Sequence, residues 1–217
     1  MRLILIIIFF VNFIYAQDTT YSRKIIKQLT SKKCFGRGYV KNGLKYGQEI
    51  IVNELVQLKA LPFFENGSYL QPFLHSVNVF NGNCNVKLNG KPLKLGVDFI
   101  PTPNCAPVKG KFQLTKKDSV TYFSKTDKLP ILVHLRKKLT FSVALNKGAF
   151  AEIDIDTTKA KAIPQQLDIN IESKVIQNFS SNNIACKIKG TSQTDSLIVF
   201  SAHYDHLGGI GKHVFFP

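Results

Sequence analysis

The sequence has few acidic residues. It contains 14 Asp and Glu against 29 Lys and Arg, which gives a formal net charge of +15. Such an excess raises the question of nucleic-acid binding. The lysines are scattered, however, and the strongest local cluster, Arg136-Lys137-Lys138, is short. Arginine-rich runs and alternating basic and aromatic residues are absent, so we expect a solvated basic surface and no nucleic-acid partner.

Long apolar runs are also absent, apart from one at the amino terminus. Arg2 precedes an apolar stretch at residues 3–13, and the small Ala16 stands before the polar Gln17. This order is typical of an export signal over residues 1–16. The run is too short to be a stable membrane anchor. We therefore expect a secreted or periplasmic chain with no membrane partner after signal removal; an uncleaved signal anchor is the alternative.

The cysteines do not have zinc-finger spacing. They are Cys34, Cys84, Cys105 and Cys186. In an oxidising compartment four cysteines allow three disulfide pairings. Cys84 and Cys105 flank one β-rich stretch, so they are the first choice for a bridge.

Internal repeats and low-complexity tracts are missing too, and the hydrophobic pattern divides the chain into regions. Residues 17–67 predict a helical start, with one helix through Tyr21 and Leu29 and a second at about 44–60. Residues 68–160 change to a period of two with Asn-Gly and Pro punctuation, which predicts a β-rich insertion. Residues 161–217 predict a hairpin, with strands at 167–175 and 183–189, followed by one more strand.

That last strand, residues 197–200, leads into the most informative motif of the sequence. The motif reads His203-Tyr204-Asp205-His206-Leu207-Gly208-Gly209. The apolar run predicts a strand buried on both faces, and ligands gather at the carboxyl ends of such strands. His203 and Asp205 would share one face, where the carboxylate can orient the imidazole for metal binding. The alternative is a surface turn that happens to contain histidines.

These residues resemble a known family. Residues 183–191, followed by a polar turn and residues 195–208, are similar to the first core hairpin and metal motif of the zinc peptidases of the M28 family. Gly36-Arg37-Gly38 and residues 95–101 also resemble exported members. The resemblance implies an α/β zinc-peptidase core, incomplete here, with a small β-rich insertion.

The resemblance further implies a hydrolase with two zinc ions, most often an aminopeptidase, acting on a peptide substrate. His203 would be a zinc ligand, and Asp205 would be the carboxylate that orients it. We expect His206 to be a surface residue; a position in the lining of the cleft is the alternative. His75, His134 and His213 are expected at the surface or in packing.

The departure from the family pattern is that the other ligands are missing. The bridging aspartate, the glutamate pair and the last histidine of the family have no counterpart in these residues, whereas a catalytic zinc usually has three protein ligands. We therefore expect the 217-residue chain by itself to be inactive, with one central strand left as an aggregation-prone edge. An early stop or an incomplete gene would explain this pattern.

Two other functions are compatible with the sequence. The metallo-β-lactamase superfamily has a similar histidine and aspartate motif, but Ser201 stands here in place of its first histidine. The β-rich insertion could instead be a non-catalytic exported binding module. Substrate specificity and oligomeric state have no signature in the sequence.

Overall fold

The structure is a computed structural model that describes residues 18–124, 129–191, 196–212 and 214–216. It is a mixed α/β structure in which strands predominate. The helices of the described part are α1 (Thr19–Leu29) and α2 (Gly43–Gln57), with a 3-10 segment at Lys32–Arg37 between them. The predicted export signal, residues 1–16, lies outside the described residues, as does His213.

The two helices lie close to their predicted positions. Helix α1 begins at a capping residue, because Asp18 Oδ1 accepts a hydrogen bond from Tyr21 N at 2.9 Å. Helix α2 ends at Gln57, earlier than predicted. The chain turns there because Lys59 adopts a positive φ of 55°, which is incompatible with a continuing helix.

The strands of the described chain follow α2. In chain order they are β1 (Leu61–Pro62), β2 (Leu70–Val79), β3 (Cys84–Leu88), β4 (Lys91–Leu93), β5 (Phe99–Pro101), β6 (Val108–Gln113), β7 (Thr115–Lys116), β8 (Thr121–Ser124), β9 (Ile131–Arg136), β10 (Ala151–Asp156), β11 (Gln166–Ile171), β12 (Lys174–Ile184), β13 (Cys186–Lys187), β14 (Gly209–Ile210) and β15 (Val214–Phe215).

Two sheets form the β-rich region around one hydrophobic core. The first sheet has the strand order β5-β10-β9-β8-β7, and the second has the order β4-β3-β11-β6. Alternate residues of β10 and β11, such as Ile153 and Ile169, are buried in the core shared by both sheets. Because side chains alternate along a strand, each sheet presents one apolar face inward and one polar face outward.

A long ribbon connects this region to the helices. Strands β2 and β12 pair antiparallel, from Lys174 opposite Val79 to Ile184 opposite Leu70, with an irregularity between Ile176 and Phe179. The strands between them in the chain, β3 to β11, belong to the two sheets of the β-rich region. At the far end of the ribbon, β13 pairs with the short β1.

The predicted hairpin of residues 161–217 differs from this arrangement. Strand β11 pairs with β3 on one side and with β6 on the other, so it belongs to the β-rich region. The sequence predicted a strand at 167–175 but not these partners, because alternation identifies a strand without identifying what it pairs with.

The end of the described chain packs back onto the β-rich region. Ile210 is fully buried in its core and forms a bridge with Phe80. The Phe216 ring stacks on Phe141 with centroids 5.0 Å apart. Neither helix in the described ranges is long and apolar enough to cross a membrane.

The predicted bridge between Cys84 and Cys105 is not formed. Both residues are free and buried in the core of the β-rich region. Burial raises the pKa of each thiol from 9.0 to about 12. A thiolate is therefore strongly disfavoured at both positions, and the two cysteines pack as small apolar side chains.

Candidate metal centre

The motif that contains His203 and Asp205 is bound to the turn between the two helices. We call residues 203–208 the metal segment and residues 36–38 the glycine turn. His206 N donates to Arg37 O at 2.9 Å, and Gly208 N donates to Gly36 O at 2.9 Å. Two backbones thus lie side by side over this short distance, which places the metal segment against the helical start of the chain.

The glycines of this contact are required by its geometry. A Cβ built on Gly36 would lie closer than 3.0 Å to Gly208 O, and Gly36 also has a φ of +71°. A Cβ on Gly38 would meet the backbone of Gly208 and the carbonyl oxygen of His206. A side chain at either position would therefore push the metal segment away. The close approach of the two backbones is a physical reason for glycine on both sides of Arg37.

Arg37 adds a side-chain clamp to the same contact. Its Nε donates to Tyr204 O at 3.0 Å, and one of its terminal nitrogens donates to Leu29 O at 2.6 Å, at the end of α1. Tyr204 in turn donates its hydroxyl to Asn182 O of β12 at 2.9 Å. Helix α1, strand β12 and the metal segment are thereby linked through hydrogen bonds to polar groups that are partly buried.

The structure brings His203 and Asp205 together. His203 Nδ1 lies 3.0 Å from Asp205 O and 3.4 Å from Asp205 Oδ1. Both oxygens can only accept, so Nδ1 carries the proton, and Nε2 of the neutral ring keeps the lone pair that a metal needs. The side chains of His203 and Asp205 are 81% and 49% exposed. The two residues are thus in contact through Nδ1, and both side chains remain accessible to solvent.

A cleft of about 1270 Å³ lies beside this pair. Its lining includes side chains from α2, from the ribbon and from the metal segment, among them Tyr39, Phe73, His75, Ser181, His203 and Asp205. Burial, and secondarily the charge of Asp205, raises the pKa of both Tyr39 and Tyr204. Both phenols are therefore neutral hydrogen-bonding groups at neutral pH.

The sequence did not identify the polar pair on the cleft wall. His75 Nδ1 donates to Ser76 O at 3.1 Å, and His75 Nε2 accepts from the Ser181 hydroxyl at 2.9 Å. The His75 ring also packs against Tyr39 and Phe73, with centroids 5.4 and 5.7 Å away. The pair comes from strands more than a hundred residues apart in the chain, so no local motif could have indicated it.

Two further histidines of the described chain have contacts of their own. His206 Nδ1 is 3.4 Å from Phe216 O and half-buried against the end of the described chain. His134 lies in β9 near Thr121. Within the described ranges, no three His, Cys, Asp or Glu side chains are placed to hold one metal ion.

The prediction of a buried strand at residues 197–200 is wrong for this structure. Leu197, Ile198, Val199 and Phe200 are 82%, 86%, 80% and 93% exposed and belong to no strand. A strand requires a neighbour for its backbone groups, and the described sheets place none beside these residues. The apolar side chains of this run therefore remain exposed in the described chain.

No model of a known protein family matches the chain, and no curated protein matches it either. The geometry of the metal segment and the resemblance of the sequence are therefore the basis for any function assigned to the chain.

Proposed function

We propose that the chain is part of an exported zinc-dependent peptidase similar to the M28 family, with His203 as one zinc ligand and Asp205 as its positioning carboxylate. The observation that supports this proposal is the contact of His203 Nδ1 with Asp205, which leaves Nε2 for a metal. A carboxylate or carbonyl behind a metal-binding imidazole is the common arrangement in zinc sites.

The donor chemistry fits zinc at this one position. Imidazole nitrogen is a preferred zinc ligand, and the exposure of His203 leaves room for an ion and for further ligands. When bound, two zinc ions would supply Lewis acidity toward a peptide carbonyl and a water of lowered pKa. Within the described ranges no two further His, Cys, Asp or Glu side chains join His203 to complete a zinc site, so we expect these 217 residues alone to be inactive.

The residues of the chain would contribute positioning and substrate contact. The glycine turn and Arg37 hold the metal segment against the helices. Tyr39 and Tyr204, kept neutral by burial and by Asp205, would offer phenol groups beside the metal ligand. An aminopeptidase acting on the free amino end of a peptide is the activity we propose.

Zinc titration followed by NMR of the histidine rings tests the metal ligand. We expect the His203 ring signals to respond first among the five histidines of the chain, and H203A to abolish that response. The matched control is H134A, which removes a histidine of β9 and should leave the response unchanged. Asp205→Asn should weaken the zinc affinity of His203 by about 10–100-fold. A first response at another histidine would refute the assignment.

Sequencing of the transcript beyond codon 217 tests the family. The proposal expects an acidic motif with aspartate, asparagine and glycine shortly after the glycine pair, followed by a glutamate pair. If no reading frame downstream encodes these residues, the peptidase function of this product is wrong, whatever the zinc titration shows.

A further inference from the structure

The segment of residues 196–201, which we call the apolar run, is the most exposed apolar stretch of the described chain. Its sequence is Ser196-Leu197-Ile198-Val199-Phe200-Ser201, and its four apolar residues are at least 80% exposed. It contains β-branched and aromatic residues but no proline, glycine or charge. This composition is typical of segments that pair with other strands when they are exposed.

The fold holds the carboxyl end of the apolar run in place, but no strand of the described chain pairs with the run itself. Just beyond the run, Tyr204 O accepts a hydrogen bond from the Arg37 side chain, and the Tyr204 hydroxyl donates one to Asn182 O. The run itself belongs to no paired strand among residues 196–212 or elsewhere in the described chain. The described sheets therefore supply no strand partner to this run.

The order of residues within the run makes it complementary to itself. In an antiparallel pair of two identical runs centred between Ile198 and Val199, these two residues lie opposite each other. Leu197 then faces Phe200, and Ser196 faces Ser201. The four apolar residues of each copy meet apolar residues, and serines close both ends. Aromatic, β-branched and hydroxyl cross-strand pairs of this kind stabilise antiparallel strands.

We propose that two copies of this chain associate by antiparallel pairing of residues 196–201. The surface is isologous, so the same residues contribute from each copy and a two-fold axis relates them. The proposal rests on the exposure of residues 197–200 in the described chain, and it involves neither a metal nor the His203 ring.

The charge of the chain predicts how this association responds to salt. The full sequence has a formal net charge of +15, and only Arg2 of that excess lies in the predicted signal, so two mature copies repel each other at low ionic strength. The apolar run itself contains no charge that salt could screen. Added salt should therefore strengthen the association, whereas an interface built on ion pairs would weaken. One short strand pair is smaller than the roughly 1,200–2,000 Å² of a standard interface, so we expect a weak, concentration-dependent dimer.

Sedimentation of the mature chain over a range of concentrations tests the proposal. Val199→Lys places a lysine at the centre of the pair and should lower the association constant by at least about tenfold. The matched control is Ile163→Lys, which adds the same charge at an exposed apolar residue of the β-rich region and should have no such effect. A chain that stays monomeric at every concentration, or one that associates equally well with V199K, would overturn the proposal.

Cysteine cross-linking tests the register. In a Cys186→Ser background, which removes the one half-buried cysteine, the remaining native cysteines are buried. A mixture of Leu197→Cys and Phe200→Cys chains should cross-link more efficiently than either variant alone, because these positions face each other. Equal cross-linking in the mixture and in the separate variants would exclude this register and with it the proposed pairing.

Discussion

Replacing Gly36 with alanine tests whether the close approach of the metal segment adds a steric cost to the ordinary cost of a positive φ. Gly36 has a φ of +71°, where an alanine costs about 1–2 kcal/mol. Its added Cβ would also clash with the backbone oxygen of Gly208, and overpacking of this kind costs about 1–3 kcal/mol more. We therefore expect a loss of about 2–5 kcal/mol in the free energy of unfolding, the sum of the two costs.

Gly90 provides the matched control for the backbone term. It lies in the turn between β3 and β4 with a φ of +79°, and a Cβ there would meet nothing within 4 Å. Gly90→Ala should therefore cost only about 1–2 kcal/mol. Gly38→Ala supplies the opposite control, since Gly38 has an ordinary φ of −122° and only the steric clash with Gly208 remains.

The assay combines urea denaturation, followed by circular dichroism, with the zinc response of His203. Gly36→Ala should lower stability more than Gly90→Ala and should also weaken the zinc response, because the metal segment is displaced. Gly90→Ala should leave the zinc response unchanged. If Gly36→Ala and Gly90→Ala have equal effects on both measurements, the glycine turn does not position the metal segment and the reasoning is refuted.

Three further predictions follow from other contacts. Arg37→Met removes both side-chain hydrogen bonds of Arg37 and should lower the free energy of unfolding by about 1.5–3 kcal/mol for each bond, as measured by thermal unfolding. The control Arg136→Met breaks an exposed ion pair and should cost at most about 1 kcal/mol. Tyr204→Phe, which loses one hydrogen bond, should cost about 1 kcal/mol in the same assay, and an unchanged stability would show that the bond is not formed in solution. Burial raises the pKa values of Cys84 and Cys105 from 9.0 to about 12. The stabilisation that each protonated thiol contributes is therefore complete below pH 9 and is lost as the pH rises toward 12. The free energy of unfolding should fall by about 1.4 kcal/mol per pH unit for each thiol over this range. Urea denaturation between these pH values should show a smaller decline for Cys84→Ala than for the parent chain; an equal decline would contradict the prediction.

Local sequence patterns predicted the elements that are stabilised by contacts between residues close together in the chain. The apolar spacing through Tyr21 and Leu29 predicted α1, and the structure confirms a helix at Thr19–Leu29. The Asn89-Gly90 pair predicted a turn, and both residues have the positive φ that such a turn requires. In each case the signal and the contacts that stabilise the element lie within a few residues of each other.

The contact between His203 and Asp205 was predictable for the same reason, whereas the rest of the candidate site was not. The two residues are separated by one position, so their proximity needs only a short extended segment. Ser181 and His75 meet because β2 and β12 pair across the ribbon. No spacing within the sequence indicates that pairing, so the polar wall of the cleft could not be predicted.

Residues 197–200 and strand β11 show that an apolar pattern predicts a need for burial but does not predict whether the fold provides it. In β11, Leu167 and Ile169 alternate with polar residues, so one face needs burial, and the paired strands β3 and β6 satisfy the backbone on both edges. The run at 197–200 is apolar at every position, so it needs a layer on each face and a strand on each edge. The described residues supply neither, which leaves these side chains more than three-quarters exposed. The apolar composition that predicted a buried central strand is therefore also the reason why we propose that this run pairs with a second copy.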